Sequence, residues 1–142
     1  MKEIKWTPDL AVGIELIDTQ HKMLIKRLDD LKKSMAQQQG PASISSTLNF
    51  LVEYTNFHFG TEEKHMAAND YPQLEAHKQQ HEAFKKILSD LEEDFEEEGA
   101  TQALVESIDT LLVDWLFKHI KAIDVAFGTF LKDKGIELIE EA

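Results

Sequence analysis

One segment of the sequence repeats so strictly that it fixes the class of fold. Leu74, His77, His81, Phe84, Leu88, Leu91 and Phe95 follow one another at steps of three and four, the spacing that keeps side chains on one face of an α-helix. The same rhythm runs through Ile17, His21, Leu24, Leu28, Leu31 and Met35, and through Ile44, Leu48, Leu51, Thr55, His58, Glu62 and His65. It returns in Leu104, Ile108, Leu111, Trp115 and His119. No stretch alternates with period two for long enough to make a strand. The spacing predicts bundle helices over residues 18–38, 43–68, 73–98 and 101–120, with a short terminal helix over 124–132.

The punctuation agrees. Asp18 or Thr19 is placed to cap the first helix, Gly40-Pro41 to stop it, and Asn69-Asp70-Tyr71-Pro72 to turn the chain between the second and third. Residues 1–17, with Trp6, Pro8 and Gly13, have no clean period and are expected to form an arm packed on the bundle. The acidic tail over 137–142 is expected to be solvated. Four helices of about 20 residues joined by short loops pack as antiparallel neighbours, which makes the expected fold an all-α, up-down-up-down four-helix bundle. A chain of 142 residues, 42% of them hydrophobic, fits one domain spanning 1–142.

Composition removes several classes of function. There is no cysteine, so disulfides, iron–sulfur clusters and thiolate zinc sites are excluded. The formal net charge is −12; such a surface repels phosphate backbones and anionic lipid, so neither nucleic acid nor a membrane is the expected partner. No apolar run approaches the roughly 20 residues of a membrane span. The start, Met1-Lys2-Glu3-Ile4-Lys5-Trp6, has no signal-peptide core, so the expected location is the cytoplasm; the start at Met1 and the full set of segments make a stand-alone protein the expected form. Protein partners have no signal in the sequence.

Polar residues interrupt the apolar stripes. His21, His58, Glu62, His77, His81 and His119 all stand where the period calls for an apolar side chain, and burying a carboxylate without a partner is expensive. A lone histidine in such a place is ordinarily a hydrogen-bonded core residue; five histidines and a glutamate in register need a common cause. In an up-down-up-down bundle the start of helix one, the end of two, the start of three and the end of four share one end, so all six converge there. His58 and Glu62, and likewise His77 and His81, are four apart and sit one above the other on their helices. Asp124, five residues beyond His119, reaches inward if the last helix bends or unwinds. Five imidazoles and two carboxylates are too many for one tetrahedral ion; two ions bridged by the carboxylates use all seven. The mixed nitrogen and oxygen donors and the coordination number favour iron or manganese over zinc.

These residues resemble the hemerythrins. Asp18-Thr19-Gln20-His21 is similar to the family's aspartate-x-glutamine-histidine opening of the first helix. His58-Phe59-Gly60-Thr61-Glu62-Glu63-Lys64-His65-Met66 resembles its second segment, His77-Lys78-Gln79-Gln80-His81 its histidine pair, and Trp115 through His119 to Asp124 its last segment; Trp6 also fits. The resemblance implies a pair of iron ions with a bridging oxo or hydroxo group. By it, His77, His81 and His119 hold one iron, His21 and His58 the other, and Glu62 and Asp124 bridge. Dioxygen is then the ligand of the two-histidine iron.

Reversible oxygen binding asks for a dry pocket, and Leu24, Ile25, Phe59, Trp115 and Leu116 are the candidates for its walls, each also readable as plain core. His65, in a Glu62-x-x-His65 spacing, belongs to a ferritin-like site only if a second such pair exists, and none does; it is expected at the rim or surface. Beyond the ligands, His65 is the one residue on the core stripes that offers acid–base chemistry, and no catalytic residue is expected. Oxygen storage, delivery or sensing is therefore favoured over a di-iron enzyme that reduces oxygen or peroxide, and over a ferroxidase or iron store.

Overall fold

The computed structural model describes residues 4–37, 40–136 and 138, and among them contains helices and turns but no strand. The helices form a four-helix bundle: α1 (Glu15–Ala36), α2 (Pro41–Ala68), α3 (Leu74–Glu98) and α4, a continuous helix over residues 102–133. Each of α1 and α3 packs against both α2 and α4. Leu24, Leu28, Leu51, Phe84, Ile108 and Leu112 are among the side chains sealed between them.

The helix ends follow local chemistry. Pro41 opens α2, where its missing N–H costs nothing. Asp70 takes a left-handed φ of 56° in the turn to α3, a conformation aspartate tolerates. The expected cap at Asp18 or Thr19 is not used. Instead α1 begins at Glu15 with no side-chain cap. Asp18 reaches back and accepts hydrogen bonds from the Val12 and Gly13 N–H groups at 2.7 and 3.1 Å, which ties the arm to the first turn of the helix.

The arm is therefore shorter than expected and well anchored. Leu10 and Val12 are buried, the Ile4 N–H donates to Asp29 at 3.2 Å, and a 3₁₀ turn over Pro8–Leu10 packs on the segment Ile120–Asp124 of α4. Lys121 pairs with Asp9 across the same contact at 3.2 Å. Of the acidic tail, 137 and 139–142 lie outside the described residues. Leu138 is partly buried and packs on the core, which corrects the expectation of a wholly solvated tail.

The largest departure is in α4. The expected break between 101–120 and a separate helix over 124–132 is absent: the chain stays helical throughout, widening into π turns over Ile108–Val113 and Ile120–Asp124. A π turn bonds i to i+5 and so takes in one extra residue. The expected stripe drifts accordingly. Leu111 is 46% exposed, whereas Leu112, Leu116 and Ile120 face the core. Buried Lys32 on α1 reaches the first π turn, its ammonium 2.7 Å from both oxygens of Asp109. No helix among the described residues is long and apolar enough to cross a membrane.

Gly128 marks the closest approach of α4 to the arm. A Cβ placed there would lie 2.4 Å from Val12 Cγ1 and 2.9 Å from the Val12 carbonyl oxygen. Gly128→Ala is expected to cost about 1–3 kcal/mol by overpacking, read as a lower midpoint in chemical denaturation; an unchanged midpoint would show that the arm yields freely.

Candidate metal centre

The bundle brings all seven expected donors together. His21 comes from α1, His58 and Glu62 from α2, His77 and His81 from α3, and His119 and Asp124 from α4, and none is more than 3% exposed. Asp124 gets there through the second π turn. On an α-helix, at about 100° per residue, five residues leave two side chains roughly 140° apart; the widened turn over Ile120–Asp124 closes that gap.

The donors form two groups whose atoms lie within 4.8 Å of one another: Glu62, His77, His81, His119 and Asp124 in one, and His21, His58, Glu62 and Asp124 in the other. Both carboxylates belong to both groups. Asp124 divides its oxygens between them, with Oδ2 2.9 Å from His21 Nε2, and Oδ1 2.9 Å from His77 Nε2 and 3.1 Å from His119 Nε2. Glu62 Oε1 lies 3.0 Å from His58 Nε2 and 3.5 Å from His81 Nε2. Every imidazole turns Nε2 inward.

These are ion-pair distances, but the geometry is not that of hydrogen bonds. The five Nε2 atoms and all four carboxylate oxygens are buried and make no hydrogen bond. Native interiors rarely leave even one such group unsatisfied. Two donors about 2.1 Å from one ion and at right angles are about 3.0 Å apart, close to the spacings found here. Nine unsatisfied atoms at ligand–ligand distance fit a pair of bound cations.

Electrostatics points the same way. Burial pushes the Glu62 carboxyl up, as does the charge of Asp124, yet His58 and His81 overturn both and hold it at about 2. Burial likewise raises Asp124, and His119, His21 and His77 hold it well below the usual carboxylate range. Burial pushes the His21 and His81 imidazoles down, but their carboxylate neighbours raise both on balance. For His58 burial wins over Glu62 and the net direction is down. Both carboxylates thus stay ionised in an apolar interior and call for positive charge.

Around this shell, Phe59 stacks on His81 with centroids 3.8 Å apart and planes 7° from parallel, and Trp115 stacks on His119 at 4.7 Å and 12°. Leu24, Ile25, Phe59 and Leu116 are sealed from solvent, while Trp115 is only partly buried. His65 is partly buried and joins neither donor group.

Three residues near the centre go unassigned by the stripes. Gln20, buried, accepts from His58 Nδ1 at 2.8 Å, and Glu63 accepts from His81 Nδ1 at 2.8 Å. A signal existed: Gln20 lies three after Ile17 and four before Leu24, and Glu63 four after Phe59 and three before Met66. The third is Tyr71, whose phenol is pushed up by its own burial and by the charge of Asp124.

Comparison with known proteins supplies the family. Residues 12–130 match the model of the hemerythrin HHE cation binding domain. The chain is 33% identical to the bacteriohemerythrin of Stenotrophomonas maltophilia over 93% of its length and 84% of the relative's. It is 31% identical to the myohemerythrin of Theromyzon tessulatum, covering 87% of this chain and 89% of that one. A crystal structure of wild-type hemerythrin superposes with a TM-score of 0.76 at 26% identity, covering 89% of this chain and 95% of that chain.

The pH dependence of the metal-free protein tests the electrostatics. Glu62 sits at about 2 in the fold against an ordinary 4.5. Its ionised form therefore contributes stability that is fully present above pH 4.5 and is lost as pH falls toward 2. Asp124 acts in the same sense. Thermal melts of metal-free Glu62→Gln are expected to fall less steeply than wild type across that window; equal slopes would show that Glu62 is not held ionised.

Proposed function

The chain belongs to the hemerythrin family, and from that premise we infer that it is a non-heme di-iron protein that binds dioxygen reversibly. One observation carries the assignment of residues: two carboxylates are common to two donor groups, and Asp124 points one oxygen at each group. His77, His81 and His119 would hold one iron and His21 and His58 the other, with Glu62 and Asp124 shared between them and a solvent-derived oxo or hydroxo group completing the centre.

When bound, the iron pair supplies the electrons that let dioxygen be held and given back unchanged. The chain does the rest. Two carboxylates and the bridging oxo or hydroxo group would neutralise much of the charge of two ferrous or ferric ions, with five neutral imidazoles completing the donor set, so that the centre can be buried. Histidine-rich ligation leaves less anionic charge to stabilise high-valent iron than a carboxylate-rich site does, which favours binding over catalysis. Dioxygen enters on the two-histidine side, where the chain offers one donor fewer. Leu24 and Ile25, about one turn from His21, and Leu116, three residues before His119, keep water and stray protons away, with Phe59 closing the space against His81. These are binding and shielding roles; no side chain here is assigned a catalytic one.

Protein reconstituted with ferrous iron is expected to hold two irons per chain and to gain an absorption band in air that disappears under vacuum over several cycles. One-way bleaching with release of peroxide or water would overturn reversible binding in favour of an oxygen-reducing enzyme, and an absence of spectral change would leave only a metal-stapled bundle. His58→Ala is expected to lose about half the iron, from the two-histidine side; unchanged iron content would refute the division of ligands. Leu116→Ala is expected to oxidise irreversibly faster by on the order of tenfold, equivalent to about 1.4 kcal/mol of barrier, followed as decay of the oxygenated spectrum.

A further inference from the structure

The five imidazoles that turn Nε2 inward are not treated alike behind. The Nδ1 atoms of His21, His77 and His119 are buried and make no hydrogen bond. Only His58 and His81 have a partner at Nδ1, each at 2.8 Å. On the division of ligands proposed above, that is one directed partner for each ion. The two partners differ in charge: Gln20 offers a neutral amide oxygen, whereas Glu63 offers a carboxylate whose side chain keeps 21% of its surface exposed.

We propose that Glu63 and Gln20 are positioning residues that make the two ions unequal, the carboxylate strengthening His81 as a donor to one ion and the amide leaving His58 the weaker donor to the other. Both fix the tautomer. With Nδ1–H engaged outward, the Nε2 lone pair is the one available to the ion, and the ring cannot swing. A partner behind a metal-bound imidazole also raises its basicity, and a charge-assisted hydrogen bond is roughly twice as strong as a neutral one. Phe59, stacked flat on His81, holds that ring in the plane the Glu63 contact needs. The ion held by His77, His81 and His119 thus has three imidazoles and the anionic partner. It is the more easily oxidised, and when one electron is withdrawn by an external oxidant such as ferricyanide the ferric charge settles there.

Two near-isosteric exchanges separate this from a merely structural role. Glu63→Gln keeps an acceptor of the same shape and removes the charge; Gln20→Glu adds a charge on the other side. Redox titration of the iron-loaded protein at fixed pH is expected to show a positive shift of the first oxidation in Glu63→Gln and a negative shift of the second in Gln20→Glu, with the gap between the two steps narrowing in both. Mössbauer spectra of the half-oxidised protein should show one ferric environment in wild type and a redistribution over two sites in the double exchange. A second measurement needs no iron. Long-range proton–nitrogen spectra of the metal-free protein, at a pH where the imidazoles are neutral, are expected to show His58 and His81 with the proton on Nδ1, and Glu63→Ala to scramble His81 alone. Unshifted potentials in both exchanges with two irons bound would overturn the inference while leaving the ligand division standing, as would a scrambled His81 in the wild type. Failure of the wild type to take up two irons would overturn the ligand division and the inference with it.

Discussion

Two ionised carboxylates buried in an apolar bundle are the condition on which the rest of this structure depends. Moving a charge of that kind out of water costs several kcal/mol even after the protein relaxes. Nothing in the surrounding leucine and isoleucine core can offset it. The only relief is positive charge at the same place, and the chain arranges for it by giving one or two inward donors to each of four helices at a single end of the bundle. The opposite end keeps ordinary apolar side chains, with Met35, Ile44 and Leu104 buried. Stability and ligand binding therefore meet in one region: the groups that make the interior costly to assemble are those that a pair of cations would satisfy.

Much of this was written into the sequence in one dimension. Helical spacing exposes the stripes of α1, α2 and α3, and a histidine or glutamate on a stripe announces itself because it breaks an apolar series. Spacing fails where the helix ceases to be regular. The first π turn moves Leu111 outward and Leu112 inward, and nothing in the run Ile108–Val113 distinguishes a turn that takes in one extra residue from one that does not. The same irregularity was legible from the other side, since a carboxylate five residues from His119 can serve the same cavity only if the helix widens. Asp18 departs from the expected capping role for a different reason. Its carboxylate is used by an arm whose path depends on tertiary packing, not on the helix it begins. Gln20 and Glu63 sat at the right spacing but were outshone by their neighbours, and their partners lie on other helices.

The arm is more than a covering. Its 3₁₀ turn at Pro8–Leu10 rests on the segment that carries Asp124, and the Asp9–Lys121 pair and the close passage of Val12 over Gly128 hold it there. Asp18 fastens the far end of the arm three residues from His21 on α1. One short stretch of chain thus clamps the element bearing a shared carboxylate to the element bearing a histidine. The local cost of a tight glycine contact is set against the alignment of α4 with α1.

The second π turn gives α4 an uneven mechanical profile. Helices bend at such turns, so the segment Ile120–Asp124 is a compliant joint set between two stiffer stretches, and it is at the end of this joint that the carboxylate facing both donor groups is mounted. A bend of α4 at that turn would shift Asp124 relative to the histidines on the other three helices, and so would set how one carboxylate is shared between the two donor groups.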